Sequence, residues 1–354
     1  MLPATAHGHA HANLHGAVAV LYSGRWYGPA MQPWVDNHLE NLIRPFGASV
    51  YLVTSLAFWC SAAAARVALQ PTAANANATL LKEVRSVFGH DVDIHAALVP
   101  EPNVSVTSVL RESKQAAIAA KLRPGIASAF TVRTMIGFKQ QFLKVAKTEL
   151  LLRESGRRFR YVVRARVDIL FAGPAPVPLT SLTPDSRTVY GLPMYTPAEV
   201  LARGWAEGGT HDWFFVTGED GIAAISRAAD DAHKPLVNES RRCFGLCQEE
   251  QLELQLEAMG IALAPLVPEA AWNLIHVRVD ALPETDVRSL AALGLPCSDR
   301  PYCHTRHATT AMMATATATP PGALAMGCIR LRDEVWNFFN ATTSSTLLQG
   351  PRAG

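Results

Sequence analysis

Apolar positions along the chain fall into two kinds of segment: short solid runs, and longer stretches with one apolar face. Residues 17–22 (AVAVLY) are a solid run closed by Ser23-Gly24-Arg25, as a buried strand ending in a tight turn would be. Residues 34–46 place Trp34, Leu39, Leu42, Ile43 and Phe46 on one helical face, and Gly47 stops the pattern. A second strand is expected over 50–54, a helix over 80–88 and a third strand over 92–99. The strongest helical period runs over 130–154 through Met135, Phe138, Phe142, Val145 and Leu150, with Gly156 ending it. The segment 159–171 (FRYVVRARVDILF) begins as a strand and turns charged at Arg164, Arg166 and Asp168. Beyond it, 212–217 (DWFFVT) reads as a strand and 218–229 as a helix. Residues 248–259 are a helix closed by Gly260, and 261–264 and 272–279 are strands. Strands separated by helical patterns predict an α/β fold, with a mainly parallel central sheet covered by helices on both faces.

Composition narrows the class of protein. With 354 residues and 49% hydrophobic content the chain can bury a large core and is not intrinsically disordered over most of its length. Thirty-two basic residues against thirty acidic ones give a formal charge of +2. Neither basic blocks nor lysine stripes are present, so nucleic acid and anionic membrane surfaces are not the expected partners. The uncharged stretch 48–65 is long enough to raise a membrane span. Its β-branched start after Pro45-Phe46-Gly47 reads instead as a buried strand running into an Ala-rich helix. No membrane span is expected in this chain.

The expected organisation is a His-rich disordered segment at 1–16, one domain over 17–280, and an extension over 281–354. That extension contains Cys and Pro, with a low-complexity loop at 308–321. The six cysteines, Cys60, Cys243, Cys247, Cys297, Cys303 and Cys328, are even in number, cluster late and lack zinc-knuckle spacing, which fits local disulfides. Asn77, Asn103, Asn238 and Asn340 begin glycosylation sequons, four where about one is expected by chance. Both features lean towards the lumen of the secretory pathway, with the Golgi as the expected site. No secretory signal opens the sequence, so a chain complete as it stands would be cytoplasmic.

Ligands of such sheets bind beyond the carboxyl ends of the strands. The turn Ser23-Gly24-Arg25 offers a backbone that a ligand can approach and a guanidinium fork for phosphate. In R-A-R-V-D, an unbroken strand would project Arg164, Arg166 and Asp168 to one side. Such a set could orient a diphosphate and a hard cation on Asp168, or form a structural Arg–Asp network. Asp212 could bind an acceptor hydroxyl or act as general base, or simply terminate its strand. His211 reads as a surface histidine and His276 as a core one. Glu249 and Glu250 occupy a first helical turn, where negative charge is stabilising in any case. Loops for a nucleoside triphosphate or a dinucleotide, a serine-hydrolase elbow and a zinc-protease helix are all missing from the sequence.

The order of four short motifs resembles glycosyltransferase-like domains of the A-type fold, including sugar transferases of lipopolysaccharide synthesis. They are the opening strand with S-G-R and N-L-I-R-P-F-G-A before V-Y-L-V-T, then G-R-R-F-R-Y-V-V-R-A-R-V-D. D-W-F-F-V-T-G follows, and last the Q-E-E-Q-L helix before G-I-A-L. The resemblance covers roughly residues 17–279. It implies transfer of a sugar from a nucleotide-sugar donor to a hydroxyl on a glycan, glycoprotein or glycolipid acceptor. Ser23, Gly24, Arg25, Arg164 and Arg166 would line the donor, Asp168 would hold Mn2+ or Mg2+, and Asp212, Glu249 or Glu250 would supply the catalytic acid or base. The family's D-x-D is reduced here to a single Asp, with Arg at position 166. That departure keeps a second expectation open: a non-catalytic nucleotide-sugar or carbohydrate-binding protein that retains the fold.

Overall fold

The computed structural model describes residues 14–55, 76–99, 129–171, 176–193, 201–202, 210–231, 248–266, 274–276 and 302–304. Several expectations lie outside them: the His-rich residues 1–13, every cysteine but Cys303, three of the sequons (Asn103, Asn238, Asn340) and the loop at 308–321. The side chains of His276 and Cys303 are likewise outside the description.

The principal sheet has seven strands, β1 (Val18–Gly24), β2 (Ser49–Ser55), β3 (Ile94–Val99), β4 (Tyr161–Ala165), β6 (Thr188–Pro193), β7 (Thr210–Thr217) and β8 (Ala262–Pro265). Their order across the sheet is β3-β2-β1-β4-β7-β6-β8. Strands β1 to β4 are mutually parallel, β7 runs against β4 and β6, and β8 is parallel to β6. The fold is therefore α/β with a mostly parallel, mixed sheet. A smaller sheet, ordered β10-β9-β5, joins β5 (Ile169–Phe171), β9 (Leu274–His276) and β10 (Tyr302–His304).

Alternation along β1 explains how one short strand serves two cores. Val18, Val20 and Tyr22 belong to one hydrophobic cluster, while Ala19 and Leu21 belong to the other. The first face is covered by α1 (Gln32–His38) and α2 (Ala76–Phe88), through Val35, Leu80, Val84 and Phe88. The second is covered by α3 (Ala129–Glu154), α4 (Glu219–Asp231) and α5 (Gln248–Ala258), through Phe142, Val145, Ile222, Ile225, Leu252 and Leu256. Helices thus lie on both faces.

The pattern over 34–46 forms one continuous helical run, but not one α-helix. α1 passes into a π-turn at Leu39–Ile43 and a 3-10 turn at Arg44–Phe46. Pro45 gives the reason, since its ring cannot sit against the carbonyl four residues back in a regular α-helix. Gly47, at φ 53°, closes the run: its N–H donates to Arg44 O and that of Ala48 to Ile43 O, a Schellman ending. Two further differences concern strands. The segment 159–171 is two strands in two sheets rather than one, and β6 and β10 carry no clear sequence signal. The uncharged run from residue 48 enters the sheet as β2, and among the described residues no helix is long and apolar enough to cross a membrane.

Candidate functional site

The parallel strands β1, β2 and β4 end at one edge of the sheet, and antiparallel β7 begins there. Topology thereby brings together Ser23-Gly24-Arg25, the segment Arg164 to Asp168, and Asp212. Gly24 takes φ 141°, which other residues rarely adopt, and no atom of the described residues lies within 4 Å of where a Cβ would stand. Backbone approach at this turn is open. Arg25 donates from Nη1 to the Tyr27 hydroxyl at 3.2 Å. Ser23 is buried, and its hydroxyl has no hydrogen-bond partner.

Of the three charged residues only Arg164 lies in β4, because the strand stops at Ala165, so strand alternation does not set the side taken by Arg166 and Asp168. Arg164 stands in register with Leu21 and Phe215, both in the core beneath α3. Arg166 and Asp168 lie past the strand end. There Arg166 Nε donates to Asp168 Oδ1 at 2.8 Å and Nη2 to Oδ2 at 2.7 Å. The charge of Asp168 also reaches His38, on the opposite face.

Arg166 is 31% and Asp168 18% exposed, so this pair is the accessible part of the cluster. Burial works against the Arg166 charge, but the carboxylate and hydrogen bonds of Asp168 overcome it and hold the guanidinium above its ordinary value. Arg164 is fully buried, and among the described residues Nε, Nη1 and Nη2 find no hydrogen-bond partner. Burial pushes its pKa down to about 10, against the opposing field of Asp212. Its guanidinium lies 5.9 Å from the centre of the Phe215 ring.

Asp212 is buried near the start of β7 and accepts a hydrogen bond on Oδ2 from Gln141 Nε2 of α3. His211 is buried too, contrary to the surface position expected of it, and stacks on Trp213 at 4.2 Å. Glu249 and Glu250 open α5, one turn before Glu253, whose carboxylate accepts the Thr210 N–H. That bond sets the helix start beside the start of β7, and Glu250 is buried there.

Support for this edge comes from a second layer that sequence reasoning did not single out. The Tyr22 hydroxyl lies 2.6 Å from His38 Nδ1, and His38 Nε2 lies 2.8 Å from the carbonyl oxygen of Ile169. A carbonyl can only accept, so Nε2 carries the proton and Nδ1 accepts from Tyr22. Burial holds the His38 pKa down to about 4, so the imidazole is neutral near pH 7. Asn37 adds a two-way bond to Phe171: Nδ2 donates to its carbonyl at 3.0 Å, and Oδ1 accepts its N–H at 2.8 Å. These contacts bridge about 130 residues of sequence and lock β5 against α1 just after Asp168. Tyr27 and Gln141 were likewise missed; neither carries a spacing signal.

As to a divalent cation, both Asp168 oxygens already accept from Arg166, and a metal there would have to displace a guanidinium. No group of three His, Cys, Asp or Glu residues that could hold a metal converges among the described residues. The residues present do not fit a metal at this position. Two clefts, of about 500 and 430 Å3, share Ser186 and Asp220 and lie at the opposite edge, where β4 and β6 begin and β7 ends. They are remote from this cluster.

No protein-family profile matches the chain, and no curated protein matches it.

Proposed function

We propose that the chain is a sugar transferase of the A-type glycosyltransferase fold, moving a sugar from a nucleotide-sugar donor to a hydroxyl of a glycan, glycoprotein or glycolipid. The observation that carries the reading is the convergence of cationic and acidic side chains on one edge of a mostly parallel sheet. The sheet's order, with one reversed strand next to β4, separates a parallel half from a mixed half. The donor would lie over the first and the acceptor over the second.

In this reading the open turn at Gly24 receives the nucleotide. Arg25 and Arg166 face the diphosphate and stabilise the negative charge that grows on it as the sugar's C1–O bond breaks. Tyr27 braces the first of the two arginines: its hydroxyl accepts from Arg25. Asp168 holds the Arg166 fork in place and is a positioning residue rather than a metal ligand. Asp212, oriented by Gln141, would take the proton of the attacking hydroxyl in an inverting reaction. Glu249 and Glu250 are second candidates for that role. The secretory pathway, with the Golgi foremost, remains the proposed compartment on the strength of the sequons and cysteines.

One observation favours a second reading, a protein that holds a nucleotide sugar without turning it over: Arg166 and Asp168 satisfy one another, as in a structural network. Calorimetry with nucleotide sugars, with and without manganese, followed by assay of released nucleoside diphosphate, separates the two. Binding with release supports the transferase; binding without release supports the second reading. If Asp168→Ala leaves sugar transfer intact, the assignment of this cluster fails.

A further inference from the structure

Arg164 presents an imbalance that Asp212 and the Phe215 ring relieve only through space, without a hydrogen bond. It is fully buried, and none of its three side-chain nitrogens makes a hydrogen bond among the described residues. A buried charge without hydrogen-bonding partners costs several kcal/mol. On the same side of the sheet, Ser23 near the end of β1 and Ser55 at the end of β2, two strands from β4, are buried with hydroxyls that find no partner among the described residues. The registers Leu21↔Arg164 and Ser23↔Val53 put Leu21, Ser23, Val53, Ser55 and Arg164 on the same face of the sheet. A row of unsatisfied donors therefore follows the carboxyl edge on the α3 side. The Arg166–Asp168 pair lies beyond the strand ends.

We propose that this row binds the carboxylate of an acidic sugar, with Arg164 as its anchor, a proposal that rests on the sugar-transferase reading. The guanidinium offers a planar fork that matches a carboxylate with two parallel hydrogen bonds. Ser23, on the adjacent strand β1, adds a hydroxyl donor. The charge of Asp212, felt by Arg164, favours a singly charged group over a multiply charged one, which it would repel more strongly. A diphosphate is served instead by Arg25 and Arg166, at the exposed turn. Since Arg164 is fully covered, the ligand must displace covering atoms to reach it, which makes association slower than a simple docking. The carboxylate could belong to the donor sugar or to the acceptor, and the test distinguishes them.

The experiment is calorimetry on the whole chain with matched pairs. The donor pair is UDP-glucuronate and UDP-glucose, the acceptor pair methyl glucuronoside and methyl glucoside, with UDP alone as the reference. The carboxylate member of one pair is expected to bind at least about tenfold more tightly, and Arg164→Gln to reduce that preference below about twofold. Ser23→Ala, at the rim, is expected to reduce it about threefold while leaving the core intact. Binding of UDP with no carboxylate preference in either pair overturns the proposal and leaves the transferase reading standing. A preference that survives Arg164→Gln places the carboxylate elsewhere and also overturns it. If neither UDP nor any sugar binds, both fall. Should Arg164→Gln not fold, the wild-type pairs and Ser23→Ala still decide.

Discussion

Replacing His38 by phenylalanine tests the buried relay that holds the strand ends beneath the candidate site. The substitution keeps a ring of similar size between Tyr22 and Phe171. It removes both ring nitrogens, leaving the Tyr22 hydroxyl and the Ile169 carbonyl without the partners they have at 2.6 and 2.8 Å. Each orphaned group costs about 1–3 kcal/mol, so the variant should lose about 2–6 kcal/mol at pH 7.5. Adding Tyr22→Phe removes one orphan and should restore about 1–2 kcal/mol.

The same residue predicts a pH dependence. In the folded protein burial holds the imidazole down to about 4, against about 6.5 in an unfolded chain. Between these values the unfolded chain takes up a proton that the folded one refuses, so stability falls as the solution is acidified. The contribution is complete above pH 6.5 and gone below pH 4. At about 1.4 kcal/mol per pH unit, wild type should lose about 2 kcal/mol more than His38→Phe between pH 7.5 and 5. Urea denaturation followed by circular dichroism at the two pH values measures this. An equal loss in both proteins would refute the buried neutral imidazole, and with it the relay.

Two further predictions concern local structure. Asn37→Ala removes both bonds to the Phe171 backbone and should cost about 2–4 kcal/mol in urea denaturation, with Asn37→Asp, which still accepts the Phe171 N–H, falling between it and wild type. Gly47→Ala forces a Cβ against the His15 ring at φ 53° and should lower stability by about 1–2 kcal/mol, read as a lower melting temperature.

What could be read from the sequence follows from range. β1, β2 and the helical faces at 34–46 and 130–154 announce themselves because their periods are local, and Trp34, Leu39, Leu42, Ile43, Phe46, Phe142 and Val145 are buried. β6 was invisible because T-V-Y-G-L-P is short and carries Gly191 and Pro193, which weaken a strand pattern. The break inside 159–171 was hidden because charged residues after an apolar run still look like a strand. Only the paired fork of Arg166 on Asp168 reveals the turn. The edge cluster itself was legible, since strand ends can be placed from the pattern. The fates of its members were not. That Arg164 is sealed beneath α3 while Arg166 engages Asp168 depends on where β4 stops. The His38 and Asn37 bonds join segments about 130 residues apart, beyond the reach of any spacing rule.

The most direct measurement is release of nucleoside diphosphate from a panel of nucleotide sugars by the whole chain, beside Arg166→Gln. The account predicts release from at least one donor, lowered about tenfold or more in the variant because the diphosphate loses its charged fork. Equal release by the two proteins, or no binding of any nucleotide sugar to wild type, would contradict it.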